Sequence, residues 1–303
     1  MSTENMDKAG VLLINMGGPD SLDGIEDYLF RLLSDPLLIR MPVPLFAQRI
    51  WARRIARLRT AKVRPRYEAI GGASALRSHT LAQAAALHDK LNLPVEVGMS
   101  YSAPFIPDAL KPLKKKGADR VVALPLYPQY SGTTSGSALT ETRRCADGLD
   151  MPLLEISSHH MNAGFIAALK AMLQAHLPEI DGCNPHVLFV AHSLPEKYIR
   201  QGDPYQSQLM ETMQAVSSGL NKDMPYSIAY SSRMGPMRWL GPTVDDEIAR
   251  LAATGVNTLI VQTLSFVSEH LETLYDLDIE AAKQAFQCGM EEFIRVPAVG
   301  VHS

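Results

Sequence analysis

The chain has 303 residues, of which 46% are hydrophobic and 20% charged, and a formal net charge of −3. That length and composition fit a folded protein of two ordinary domains and exclude a disordered chain. The mildly acidic balance excludes a general nucleic-acid binder, which needs a basic surface.

Cys145, Cys183 and Cys288 are dispersed and form no CxxC, which argues against a disulfide framework or structural zinc site and for a reducing cytoplasm. The polar start MSTENMDKAG reads as neither a secretory signal nor a transit peptide. No apolar run is long enough to predict a membrane span.

Residues 10–15, GVLLIN, form a short apolar run that ends in Met16-Gly17-Gly18-Pro19. The pattern predicts a buried parallel strand and a tight turn, followed by a helix with Ile25, Tyr28, Leu29, Leu32 and Leu33 on one face. Residues 37–46, LLIRMPVPLF, are apolar but broken by Pro42 and Pro44, so they are expected to be an irregular greasy lip that borders a pocket or touches a membrane. From 48 to 66 the chain is basic, with Arg49, Arg53, Arg54, Arg57, Arg59, Lys62, Arg64 and Arg66. This density suggests anionic partners, although a solvated face has the same pattern. The turn at 70–74 lacks the spacing of a phosphate-binding loop, and a helix near 80–91 is expected after it.

Strands are predicted at 95–101 and 120–126, with a helix around Ile106, Leu110 and Leu113 between them. The second strand opens into a loop at 127–136 that carries Tyr127, Gln129, Tyr130 and several hydroxyls, beyond a strand's carboxyl end where α/β sheets bind ligands. A short strand at 153–156 and a helix at 162–177 follow. The strand at 187–191 delivers His192-Ser193-Leu194-Pro195. After it come a helix at 206–219, a strand at 226–231, a Gly/Pro-punctuated loop at 232–242 with Arg233 and Trp239, a helix at 244–253 and a strand at 258–263. The chain then turns helical, where Glu272, Asp276 and Glu280 recur every four residues and so share one face. Such a stripe repels itself; it is either a solvated face or a place to hold a cation.

Alternating strands and helices predict parallel sheets with crossover helices. GVLLINMGGP echoes HVLFVAHSLP, and GADRVVALPLYPQYS echoes GVNTLIVQTLSFVSE. The echo predicts an α/β protein of two similar Rossmann-like, doubly wound domains, 1–160 and 161–303, with a cleft between them.

The segments LINMGGP (13–19), YEAIGGAS (67–74), LPLYPQYSGTTSGS (124–137), AHSLP (191–195), GDPY (202–205), SRMGPMRWLGPTVDDE (232–247) and FVSEHLETLYDLDIE (266–280) together resemble the ferrochelatase family in its own order. The resemblance implies insertion of ferrous iron into a porphyrin, with His192 and Glu272 at the catalytic and metal site. It makes Asp276 and Glu280 a metal approach path. Arg59, Lys62, Tyr67 and Ser74 become contacts to the porphyrin propionates, and Met16, Tyr101, Tyr127, Trp239 and Phe266 contacts to the macrocycle. Met16 points to protoporphyrin IX; coproporphyrin III, a non-catalytic porphyrin or haem carrier, and a chelatase for another tetrapyrrole are the alternatives. Ser100 and Ala103 stand where many relatives carry Arg and His, and Ala75 where Pro is common. Gly132 stands where animal enzymes carry a cluster-ligating Cys, so no iron–sulfur cluster is expected. Peripheral membrane contact through the lip is the expected attachment, if any.

His270 and Glu272, two apart, are expected to diverge on a regular helix and to converge only where the helix is distorted. Glu272 therefore ranks as the ligand, with His270 and Glu269 behind it. His79, His88, His159, His160, His186 and the cysteines are read as structural.

Overall fold

β1 (Ala9–Asn15) is buried along its whole length, as a parallel strand covered on both faces must be. It is seen in a computed structural model that describes residues 8–39, 43–177, 184–221, 224–233 and 237–302. Residues 1–7, the middle of the lip segment, Cys183 and residues 234–236 lie outside the described residues. The chain divides into two compact units, residues 1–158 and 159–303.

In the first unit β1 pairs in parallel with β2 (Val95–Met99) and β3 (Arg120–Pro125), and β3 pairs with β4 (Leu153–Glu155), giving the order β2-β1-β3-β4. Helices α1 (Ile25–Ser34), α2 (Leu45–Ala69), α3 (Leu76–Leu91), α4 (Ile106–Lys115) and α5 (Ser137–Asp147) connect these strands. Leu12 and Ile14 on one face of β1 pack with Leu110 and Leu113 of α4 and Leu139 of α5. Val11 and Leu13 on the other face pack with Ala84 of α3 and Met99.

The second unit repeats the design. β5 (Pro185–His192) pairs with β6 (Tyr226–Ser231) and β7 (Thr258–Thr263), and β7 pairs with β8 (Glu292–Val296), in the order β6-β5-β7-β8. Its helices are α6 (Ala163–Ala175), α7 (Glu196–Arg200), α8 (Tyr205–Ser217), α9 (Val244–Ala253) and α10 (Ala282–Gln287). The repeat seen in the sequence is therefore a repeat of topology. In each sheet the strand order reverses beside the first strand, at β1/β3 and at β5/β7, which is where a doubly wound sheet opens a binding crevice.

The differences from the sequence reading are local. α2 begins at Leu45, so the last two lip residues are helical, with Pro44 preceding the first turn, a place where proline's missing N–H costs nothing. The expected loop at 127–136 closes into a π-helix, Gly132–Gly136, that runs into α5. β8 carries too few alternating apolar residues to stand out in the sequence, and its pairing with β7 fixes it as a strand. The acidic segment is a π-helix over Glu272–Ala281, leading directly into α10.

Candidate active site

His192 closes β5 and Ser231 closes β6, and the two are direct cross-strand partners. Both side chains reach one carboxylate. His192 Nδ1 lies 3.0 Å from Glu272 Oε1 and 3.1 Å from Oε2, and Ser231 Oγ donates to Oε2 at 2.8 Å. Nδ1 therefore donates to Glu272, and Nε2 is the nitrogen left to exchange a proton or bind a metal. Burial opposes the imidazolium, but the Glu272 carboxylate outweighs it and raises the His192 pKa, with Asp276 adding to the effect. Burial would raise Glu272 too, yet His192, His270 and the Ser231 hydroxyl bring it down to about 2.

The backbone of His192 is held from both sides. Its N–H donates to Ser265 Oγ at 3.0 Å, and its carbonyl accepts from the Tyr205 hydroxyl at 2.9 Å. The residues after it are clamped to the Gly/Pro loop: Leu240 N–H donates to Leu194 O, Glu196 N–H to Arg238 O, and Ser193 Oγ to Leu240 O. Trp239, half-buried, pairs there with Pro195. Ser231, Ser265 and Tyr205 were not singled out from sequence. Position is the signal for Ser231, which ends β6, and for Ser265, just beyond β7; Tyr205 closes the GDPY segment and opens α8, away from any strand end in sequence.

Phe266 sits between two imidazoles, with its ring edge-on to His192 at 6.4 Å and to His270 at 4.3 Å. Burial holds the pKa of His270 down, against the pull of Glu272. Glu269 turns elsewhere: its Oε1 accepts from Arg295 Nη1 and from Ala298 N, both at 2.9 Å. Glu280 accepts from the Tyr275 hydroxyl at 3.0 Å. Among the described residues no group of three or more His, Cys, Asp and Glu is placed to hold a metal ion together. His192 and Glu272 thus meet, Asp276 acts on His192 through its charge, and Glu280 is engaged with Tyr275.

Three of the first unit's candidates, Met16, Ser74 and Tyr101, meet at the turn after β1. Gly17 has φ +84°, and a Cβ there would stand 2.2 Å from Ser102 Oγ; one on Gly18 would stand 2.4 Å from Ser74 Cβ and Oγ. The turn must be glycine for both reasons. Half-buried Met16 accepts the Tyr101 N–H through its carbonyl, at 3.0 Å. The buried Tyr101 hydroxyl donates to Asp35 Oδ2 at 2.6 Å, which Ser137 Oγ also reaches at 2.9 Å. Burial and the Asp35 carboxylate push the Tyr101 phenol well above its usual range, and burial does the same to Tyr127. Tyr101 and Asp35 line a cavity of about 360 Å³ with Met99, Phe105 and Ser137. Arg59 is half-buried and Lys62 exposed on α2, whereas Tyr67 is buried. Ser74 Oγ accepts from Leu76 N at 3.3 Å.

With this geometry in hand, the comparisons are specific. The ferrochelatase family model matches residues 8–303. A ferrochelatase of Aquifex aeolicus is 41% identical over 295 residues, covering 96% of this chain and 94% of that protein. One of Geotalea uraniireducens is 41% identical over 298 residues, with 97% and 93% covered. One of Picosynechococcus sp. is 40% identical over 312 residues, with 98% and 80% covered. Among solved structures, SirB from Bacillus subtilis with Fe3+ has a TM-score of 0.56 at 11% identity, covering 97% of this chain and 90% of that one. That likeness carries the fold alone.

Proposed function

Because this chain belongs to the ferrochelatase family, enzymes that insert ferrous iron into a porphyrin in haem synthesis, we propose that it acts on protoporphyrin IX and that His192 and Glu272 carry the reaction. The observation behind the site is the His192–Glu272 pair at the carboxyl end of β5, with Nδ1 held and Nε2 left available. Insertion releases two pyrrole protons and strips the ferrous ion of water. His192 Nε2 accepts one pyrrole proton, Glu272 stabilises the imidazolium that forms, and the second proton passes to the Glu272 carboxylate or to solvent. Glu272 and His192 also offer the oxygen and nitrogen donors that suit ferrous iron as it arrives.

In this reading Arg59, Lys62, Tyr67 and Ser74 hold the propionates. Met16, Tyr101, Tyr127, Trp239 and Phe266 press on the macrocycle, which converts binding energy into a bend that tilts pyrrole nitrogens towards the base. Asp276 and Glu280 form the path by which iron approaches. Met16 favours protoporphyrin over coproporphyrin, because an apolar thioether suits vinyl groups where coproporphyrin has two more carboxylates. An iron–sulfur cluster is not part of the proposal: three cysteines fall short of the four thiolates such a cluster ordinarily takes.

The dispersed cysteines support a cytoplasmic location. No helix among the described residues is long and apolar enough to cross a membrane. Peripheral contact is supported by the outer face of α2, where Phe46 is 81% and Leu58 76% exposed, beside Ile50, Trp51 and the arginines at 54 and 57. Aromatic and basic residues on one helix face suit an anionic lipid surface.

The test is anaerobic metallation by the purified protein, with ferrous iron and each of the two porphyrins in parallel, followed by absorbance. Faster turnover of protoporphyrin supports the proposal. Faster turnover of coproporphyrin overturns the substrate, and porphyrin binding without turnover makes the protein a carrier.

A further inference from the structure

His270 stands immediately before the first helical residue, Leu271, and its interactions are those of a helix cap. Its carbonyl accepts the Leu274 N–H at 2.9 Å, the first hydrogen bond of the helix. Its Nδ1 accepts the Thr273 N–H at 3.3 Å, and its own N–H donates to Thr273 Oγ1 at 3.0 Å. This is a reciprocal capping box in which imidazole takes the place of the usual short polar side chain and threonine that of the usual glutamate. Nδ1 of histidine lies as far along its side chain as Oδ1 of asparagine, a preferred capping atom.

Resting on the function proposed above, we infer that His270 is a positioning residue that acts through Nδ1: with Thr273 it caps the helix that presents Glu272 to His192. A neutral ring whose Nδ1 lone pair is engaged by an amide carries its proton on Nε2. In that tautomer it has no free nitrogen lone pair to ligate iron or accept a pyrrole proton. The consequence for the site is geometric. Glu272 is the second residue of the capped helix, within the first turn, where N–H groups lack helical partners and the helix dipole favours a carboxylate. The cap sets the direction in which that turn starts, and so where the carboxylate meets Nδ1 of His192.

The test separates the two ring nitrogens. Asparagine reproduces the Nδ1 acceptor, glutamine reaches only the Nε2 position, and alanine offers neither. Zinc insertion into protoporphyrin is measured with His270→Asn, His270→Gln, His270→Ala, Thr273→Ser and Thr273→Val. Asn and Ser should hold kcat within about threefold of the parent, while Ala, Gln and Val lose roughly three- to thirtyfold, the range that loss of an N-cap produces. Hydrogen exchange at the Thr273 amide should follow the same ranking, faster in Ala and Gln than in Asn. Asn no more active than Ala would overturn the proposal, because the imidazole itself would then be required. Equal activity in all five variants would overturn it as well. The exchange measurement needs no substrate, so a parent protein that failed to metallate porphyrin would sink the assigned function while the cap was still being tested.

Discussion

His192 and Glu272 are eighty residues apart in sequence, yet Nδ1 of the one lies 3.0 and 3.1 Å from both carboxylate oxygens of the other. One ring nitrogen is thereby committed and the other released, which is what a strand-end histidine needs in order to accept a proton. His192→Ala and Glu272→Gln should each lower metallation by roughly a hundredfold or more, the scale of a lost acid–base group. Porphyrin binding, followed by fluorescence quenching, should survive in both. Near-full activity in both variants would place the reacting centre elsewhere.

The pair also makes a pH prediction. The folded-state pKa of His192 is raised, so its contribution to stability is present below its unfolded value and lost as pH rises through the folded one. Glu272 is lowered to about 2, so its contribution is present above its unfolded value and lost as pH falls towards 2. Both contributions coexist between the unfolded values, from about pH 4.3 to 6.5. The stability gap between the parent and a His192→Ala, Glu272→Gln double variant should be widest in that window and narrow on either side. In Glu272→Gln alone, the His192 ring should titrate at lower pH by NMR. An unmoved titration would mean that the carboxylate does not act on the ring.

Much of this was legible in the sequence because buried parallel strands write themselves as continuous apolar runs. GVLLIN and VLFVA mark β1 and β5 for that reason, and their matched endings at Met16 and His192 mark corresponding crevices. β8 did not register, since EFIRV mixes charge with apolar residues and depends on β7 for its pairing. The π-helix at 272–281 could not be read either: it differs from an α-helix in hydrogen bonding, while its side-chain pattern resembles a helical face. The distortion considered for the region around His270 is real, but its effect on that residue was not foreseen. The ring caps the helix instead of standing beside Glu272 as a ligand. Ser231 escaped notice because serine at a strand end is common, and only the register with His192 gives it meaning.

Ser231→Ala should weaken the site without abolishing it. The hydroxyl donates to Glu272 Oε2 at 2.8 Å, while His192 still holds the carboxylate. Hydrogen bonds to charged groups are worth about 1.5–3 kcal/mol, so kcat/KM for the metal should fall roughly ten- to a hundredfold. Ser231→Thr keeps the hydroxyl and should recover most of the loss. A Thr variant as impaired as Ala would show that space, and not the hydrogen bond, is what matters.

Asp276 and Glu280 belong to one stripe in the sequence but should not behave alike. Asp276 raises the His192 pKa through its charge, while Glu280 accepts a hydrogen bond from Tyr275. Asp276→Asn should raise the KM for ferrous iron and lower the His192 titration. Glu280→Gln should affect KM less and leave the titration in place. Initial rates across iron concentrations, with porphyrin saturating, distinguish them. If neither variant changes the metal dependence, the stripe is a solvated helix face.

The last prediction concerns what holds the site's helix to the sheet. Arg295 of β8 is largely buried, its side chain 11% exposed, and its guanidinium binds two carboxylates. Its Nη1 donates to Glu269 Oε1 and its Nη2 to Asp278 Oδ2, each at 2.9 Å, and its Nε also donates to Asp278. Glu269 directly precedes the capping residue His270, and Asp278 lies within the π-helix. One side chain on an edge strand therefore ties down the start and the middle of the segment that carries Glu272. Arg295→Ala leaves two partly buried carboxylates without their cation, and breaking a buried pair in this way costs about 3–5 kcal/mol. The loss should appear as a lower denaturation midpoint and as faster hydrogen exchange in β8. Arg295→Lys keeps the charge but cannot reproduce the planar two-nitrogen grip on Asp278, so it should recover only part of the stability. A cost below about 1 kcal/mol for Ala would rank these contacts with ordinary surface pairs. In that case β8 would owe its place to pairing with β7, and the helix start to the His270–Thr273 cap, the Ala298–Glu269 hydrogen bond and the buried Leu277 and Ala281.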